Sequence, residues 1–181
     1  MSVEILPAVG HYDDFAAVVG SRCLCMAYRN SSLGLDDRRR AMQEECAGEP
    51  GPGVLAFVDG EPAGWCSIAP RTSYRRLMRS RTIPHVDDRD PWSAVCFVVR
   101  AGFRKRGLMH DLLDGAVAHA ATHGAAVVEG YPAEVGDERI DVISGYVGTT
   151  RLFEQHGFTR VVETAGHSGH RPRWLMRRDL T

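Results

Sequence analysis

Arg104, Lys105, Arg106 and Gly107 stand between an apolar run at 94–99 and a segment at 108–123 in which Met109, Leu112, Leu113, Ala116, Val117 and Ala120 recur at the three-and-four spacing of a helix face. A second apolar run follows at 125–128. The order predicts strand, basic turn, helix, strand, with the two strands parallel and joined by a right-handed crossover. A helix start leaves backbone N–H groups unpaired and carries partial positive charge. A glycine just ahead of it lets another molecule approach the backbone closely. With three cations added, the stretch reads as a cradle for a diphosphate. It is not the nucleotide P-loop, because no Gly-Lys-Ser/Thr follows, and the glycine triplet of the dinucleotide fingerprint is missing.

Other elements must position this unit, which spans 93–130. Val3 to Leu6 predicts a short strand. Asp13 or Asp14 could cap a helix running through Arg22, with Phe15, Val18, Val19 and Cys23 on one side. Asp36 starts a second helix through Ala47, with Met42 and Cys46 inward. Asp59-Gly60, between apolar runs, predicts a hairpin near the centre of the fold. The stretch 70–91 is rich in arginine and proline and reads as a long excursion with a short helix at 74–78: a solvated flap, a substrate lid or an interface arm. Beyond a polar loop at 130–145, Tyr146 to His156 predicts a helix, 158–164 a strand, 165–172 a flexible loop and 173–178 a closing strand.

The 181 residues, 44% hydrophobic and 25% charged, suit one domain over 1–181 with its own core. A formal net charge of -1 weighs against a nucleic-acid partner, and no apolar run is long enough to span a bilayer, so no membrane partner is expected. Met1-Ser2-Val3-Glu4-Ile5 lacks the layout of a signal peptide. With an odd number of cysteines (Cys23, Cys25, Cys46, Cys66, Cys96), the expectation is reduced thiols in a cytoplasm. Cys23-Leu24-Cys25 could be half a metal site. Without a second Cys/His pair at zinc spacing it reads as small residues on a helix, and no metal is expected.

Arg104-x-x-Gly107-x-Met109 resembles the signature of the GNAT superfamily of acyl-CoA-dependent N-acetyltransferases, Arg/Gln-x-x-Gly-x-Gly/Ala, with Met109 replacing the last small residue. The surrounding order is similar too. The stretch Arg151-Leu152-Phe153-Glu154-Gln155-His156-Gly157-Phe158 looks like the family's late helix, which usually ends Leu-Tyr-Glu-x-x-Gly-Phe, and 176–180 looks like its closing strand. The resemblance implies an α/β fold with a mixed central sheet, flanking helices and a splayed parallel strand pair. It implies acetyl-CoA as co-substrate and transfer of its acetyl group to a primary amine, on a small molecule or a peptide, by direct attack in a ternary complex. A homodimer is a partnership common in the family.

Residue roles implied by the resemblance are specific. Backbone groups of Phe97, Val98 and Val99 would pair with pantetheine. N–H groups of Arg104, Lys105, Arg106, Gly107, Leu108, Met109 and His110 would hold the pyrophosphate, and the late helix, with Phe153, would flank the thiol arm. Phe153 occupies the position of the family's frequent proton-donating tyrosine; Tyr146 or Tyr131 could substitute. The frequent strand base is missing at 92–94. Glu129 could serve as base, or be a structural carboxylate paired with an arginine. Asp90 and His85 are further candidates, and proximity alone, with solvent taking the proton, is another route. Arg71, Tyr74 and Tyr131 are candidate substrate contacts, and Arg71, Arg75, Arg76, Arg79 and Arg81 would attract an acidic group. The competing reading is a CoA-binding sensor or interaction module without transferase activity.

Overall fold

The structure is a computed structural model that describes residues 1–20, 23–136 and 144–180. In chain order the elements are β1 (Val3–Pro7), α1 (Tyr12–Val19), α2 (Leu35–Cys46), β2 (Gly53–Val58), β3 (Glu61–Pro70), α3 (Arg75–Met78), β4 (Trp92–Val99), α4 (Leu108–Thr122), β5 (Val127–Gly130), α5 (Thr150–Gln155), β6 (Thr159–Ser168) and β7 (Arg171–Asp179). The strands form one seven-stranded sheet in the order β1-β2-β3-β4-β5-β7-β6. β4 and β5 pair parallel, as a strand–helix–strand crossover requires; the other neighbours are antiparallel. No described helix is long and apolar enough to cross a membrane.

Strand alternation divides the core. Val54, Ala56 and Cys66 face α4, where Leu112, Leu113, Ala116 and Val117 cover them. Their neighbours Leu55, Phe57 and Trp65 face the other way, against Phe15 and Val18 of α1 and Met42 and Cys46 of α2. The excursion closes a third region: Tyr74, Leu77 and Ile83 pack with Val95, Tyr131 and Leu175. Burial of those three side chains makes 70–91 an anchored wall rather than a solvated flap.

Several sequence expectations are corrected. α1 has His11 at its N-cap position, with no side-chain capping bond, while Asp13 and Asp14 lie within its first turn. It ends at Val19 because Gly20 turns at φ 73°; Ser21 and Arg22 lie outside the described residues. Cys23 is exposed, and Leu24 and Cys25 adopt φ of 46° and 56°, so they form a turn rather than a helix. The expected helix from Tyr146 is two pieces: a 3₁₀ turn at Ser144–Val147, then α5 from Thr150. Gly148, at φ 81°, separates them. A Cβ there would sit 2.9 Å from the Phe153 ring, so the helix face read across this position cannot continue. The expected flexible loop 165–172 is a hairpin instead. Gly169 and His170, at φ 56° and 62°, form the tight turn between β6 and β7 that small polar residues had suggested as loop. Of the polar loop after Gly130, residues 137–143 lie outside the described residues.

Candidate active site

β4 and β5 stay paired only as far as Ala94 and Gly130; β4 then continues to Val99 paired with β3 only. At the separation Val95 is bulged, because Ser67 of β3 pairs with Cys96 and Ile68 with Ala94. Beyond the bulge, the Arg100 N–H bonds the Ala63 carbonyl at 2.9 Å. Backbone direction alternates along a strand, so Cys96 and Val98 also turn toward β3. Phe97 and Val99 therefore present N–H and C=O to the open side. Of the three backbones expected there, that of Val98 is committed to β3. The Val99 carbonyl accepts the Arg104 Nε–H at 3.0 Å.

The open edge leads to the basic turn. A 3₁₀ turn at Ala101–Phe103 is followed by Lys105 at φ 62° and Gly107 at φ 80°, the residue at the N-cap position of α4. Gly107 has no side chain with which to cap, whereas α5 is capped by Thr149, whose Oγ1 accepts the Leu152 N–H at 3.2 Å. A Cβ added at Gly107 meets nothing within 4 Å, so the space before α4 is open. Arg104, Lys105 and Arg106 are exposed around it. The Leu108 side chain is buried against Val58 and Ala63, and Met109 is half-buried on the α4 core, so these two offer backbone only. His110 Nδ1 meets His156 Nε2 at 2.8 Å, and His156 in turn bonds Asp114.

Under the separation point lies a charged clamp. Glu129 has no accessible surface. One carboxylate oxygen accepts from Arg71 Nη1 and, at 2.7 Å, from the Tyr131 hydroxyl; the other accepts from Arg177 Nε at 2.6 Å. Arg177 is its cross-strand partner on β7 and reaches on to Asp87 at 2.6 Å. That bond holds the Asp87 carboxyl below its usual range. Arg71 Nη2 also donates to the Pro84 carbonyl at 3.1 Å, which ties the excursion to the end of β5.

Beside the bulge opens a cavity of about 770 Å³ between the chain at 27–32, the excursion at 75–83, Tyr146 and Arg173. Leu77 and Ile83 of its lining belong to the cluster that also holds Val95, and Tyr28 packs against that cluster. The Tyr146 hydroxyl, hydrogen-bonded to Tyr28, is pushed well above the ordinary phenol range, first by burial and then by Tyr28.

A profile of the Acetyltransferase (GNAT) family matches residues 24–158. The chain belongs to this family. Among curated protein sequences none matches. Solved structures share the GNAT chain's fold at low identity. A chain of the NatC complex bound to Gag peptide and CoA is 13% identical over 100% of both chains, with a TM-score of 0.60. Ard1 from Thermoplasma volcanium is 15% identical over 100% of this chain and 99% of its own, with a TM-score of 0.59. Ribosomal-protein-alanine N-acetyltransferase from Brucella melitensis is 13% identical over 99% and 100%, with a TM-score of 0.58.

Within this GNAT frame the structure separates the expected site residues. Phe97, Val99 and the turn from Arg104 to His110 come together along one open edge. Glu129, Arg71 and Tyr131 come together elsewhere, inside the clamp. Of the two readings of Glu129, the geometry favours the ion pair: a carboxylate without accessible surface, held by two guanidiniums, cannot reach an acceptor amine. Tyr131 has its hydroxyl shared between Glu129 and Ser93 Oγ (2.8 Å) and is raised by burial, then by Glu129; it is not a free acid. Tyr74 is also fully buried, its hydroxyl 2.8 Å from Ser67 Oγ, and touches no open surface. Phe153 is buried against Gly130, Gly148 and Phe97 rather than facing the groove. Tyr146 alone of the named acid and base candidates lines the cavity. Tyr28, Arg29 and Arg173 were missed. Arg173 and Arg177 flank Leu175 on one core-facing side of β7; charged residues at inward strand positions are the signal that could have found Arg173.

Proposed function

We propose that the chain transfers an acetyl group from acetyl-CoA to a primary amine by direct attack in a ternary complex. The open edge of β4, running from the uncapped start of α4 back to the separation from β5, is the observation that carries this reading. Phe97 and Val99 would pair with the pantetheine amides as with an added strand. The first amides of α4, with Arg104, Lys105 and Arg106 around them, would hold the pyrophosphate. The acceptor would occupy the cavity. Its nitrogen attacks the thioester carbon and the C–S bond breaks; Tyr146, protonated at rest, gives the departing thiolate its proton and regains one from solvent. Water takes the proton of the amine, because Glu129 is locked in the clamp. The five free thiols suit the reducing setting of a cytoplasm.

Thermal melting with CoA tests the cradle without needing an acceptor. At a hundredfold excess over Kd, CoA should stabilise the protein by about 2.7 kcal/mol. Gly107→Glu should abolish the shift by placing a charge before α4. Gly107→Asn, which tolerates the left-handed backbone, should largely keep it. An unchanged shift in Gly107→Glu means the pyrophosphate lies elsewhere. Release of CoA in the presence of an amine panel tests transfer itself; tight CoA binding with no amine ever modified would make the chain a CoA-binding module instead.

A further inference from the structure

The cavity beside Val95 is lined by Arg29, Arg75, Arg76, Arg79, Arg81 and Arg173, and by no Asp or Glu. In a chain of net charge -1 this is a strong local excess of cations. None of the six has a carboxylate within ion-pair distance among the described residues. Both terminal nitrogens of Arg29 are engaged from within, by the Cys25 and Pro52 carbonyls, Ser67 Oγ and Cys25 Sγ at 3.6 Å, which leaves only its buried Nε without a partner. A hydrogen bond with the Cys96 thiol holds the Cys25 thiol below its ordinary range against burial, and the neighbouring Arg29 adds to that lowering.

Arg173 is different. It is only 7% exposed, its Nε donates to the Tyr131 carbonyl at 2.8 Å, and its buried Nη2 has no hydrogen-bond partner. A buried guanidinium N–H without an acceptor is destabilising, because its lost hydration is not replaced. Arg173 itself lines the cavity, where an oxyanion would meet its guanidinium together with the exposed arginines of α3 and its C-terminal loop.

We infer that the acceptor is an amine that also carries an anionic group, a carboxylate or a phosphate, with Arg173 as its principal anchor and Arg79 and Arg81 as its outer attraction. This rests on the acetyl-transfer reading above and narrows it. The amine end lies toward Tyr146 and the open edge; the anionic end lies toward the arginines. Diamines and lysine-rich peptides are repelled by the same field.

The test is CoA release with matched acceptors: free glutamate, phosphoethanolamine, a peptide beginning with acidic residues, ethylamine and putrescine. Anionic amines should show a KM about tenfold or more below ethylamine and putrescine, with the advantage shrinking as salt rises. The free amines and the peptide distinguish a small acceptor from a protein terminus. Arg173→Met should raise the KM of the preferred acceptor about tenfold or more and leave the KM for acetyl-CoA unchanged, with Arg173→Lys intermediate. Because Arg173 is buried, the exposed pair Arg79→Gln/Arg81→Gln serves as a second variant and should raise the acceptor KM several-fold while flattening its salt dependence. Equal turnover of putrescine and the anionic amines overturns this inference and leaves acetyl transfer standing. Failure of every amine to release CoA overturns both.

Discussion

The start of α4 and the arginine cavity are both prepared for negative charge, but by opposite means. The first uses backbone: amides fixed by a helix, a glycine that keeps the approach open, and cations that only surround it. The second uses side chains: guanidiniums brought from a turn, an excursion and the last strand. Backbone amides are pre-ordered and lose no rotamer freedom on binding, so they suit a ligand that never changes. Long side chains cost entropy to hold but can be exchanged one at a time, so they suit the partner that distinguishes one transferase from another. The two regions are also supported differently. The cradle rests on α4 and the sheet; the cavity wall rests on the clamp at Glu129.

That difference can be broken most forcefully at the clamp. Glu129→Gln leaves buried Arg71 without its counter-charge and Arg177 with Asp87 alone, and should cost about 3–5 kcal/mol, lowering the melting temperature by roughly 10 °C in a chain of this size. The stabilisation by CoA of the remaining folded protein should survive, because no cradle group touches Glu129. A stability within about 1 kcal/mol of the parent's would mean the clamp supports nothing.

Next in size is Tyr146→Phe. If this hydroxyl supplies the thiolate's proton, kcat should fall about 100-fold, the lower range for a general acid, while the KM for acetyl-CoA stays put. An unchanged kcat would leave proton delivery to solvent and reduce Tyr146 to a cavity wall.

The contrast also explains what the sequence could disclose. The cradle is contiguous: strand, basic turn, glycine and helix follow one another, so residue order alone exposed it, along with the sheet and the Asp59-Gly60 hairpin. The cavity is assembled from residues as far apart as Tyr28 and Arg173, and no local pattern links them. The charge excess at 71–81 was legible; which of those arginines face inward was not. Arg71 turned inward to Glu129, while Arg79 and Arg81 stayed exposed, because only the pairing of β5 with β7 sets Arg177 opposite Glu129 and creates the clamp that Arg71 joins. Phe153 misled for a related reason. Its position in a motif suggested the groove, but the two glycines that admit its ring, Gly130 and Gly148, belong to other segments.

Those glycines offer a subtler perturbation, at the seam between the two regions. A Cβ at Gly130 would fall 2.1 Å from Phe153 Cε1. Gly130→Ala should therefore cost about 1–3 kcal/mol through displaced packing. It should disturb acceptor and CoA binding together, since β5 ends where β4 begins its open edge. An effect on one substrate alone would show that the regions are less mechanically joined than the shared strand pair implies.

The smallest expected effect concerns the far end of α4. His119 bonds the Pro50 carbonyl at 3.0 Å, and its ring centroid lies 6.0 Å from that of Trp92 and 4.5 Å from that of His123. Burial, and then the neighbouring His123, hold its imidazole below the ordinary 6.5. The folded chain thus binds fewer protons than the unfolded chain at mildly acid pH. The stability that neutral His119 contributes is complete above 6.5 and is lost as pH falls through the lower folded value. Melting curves from pH 8 down to pH 5 should show a shallower acid limb in His119→Gln, which cannot titrate, and parallel behaviour above neutrality. Since α4 carries the cradle at its other end, acid should weaken the CoA shift more in the parent than in the variant. Anion binding in the cavity, which does not rest on α4, should not follow it. If the cavity lost its anion affinity in step with the cradle, the two regions would be one cooperative unit, and the separation of backbone site from side-chain site would be a matter of chemistry only.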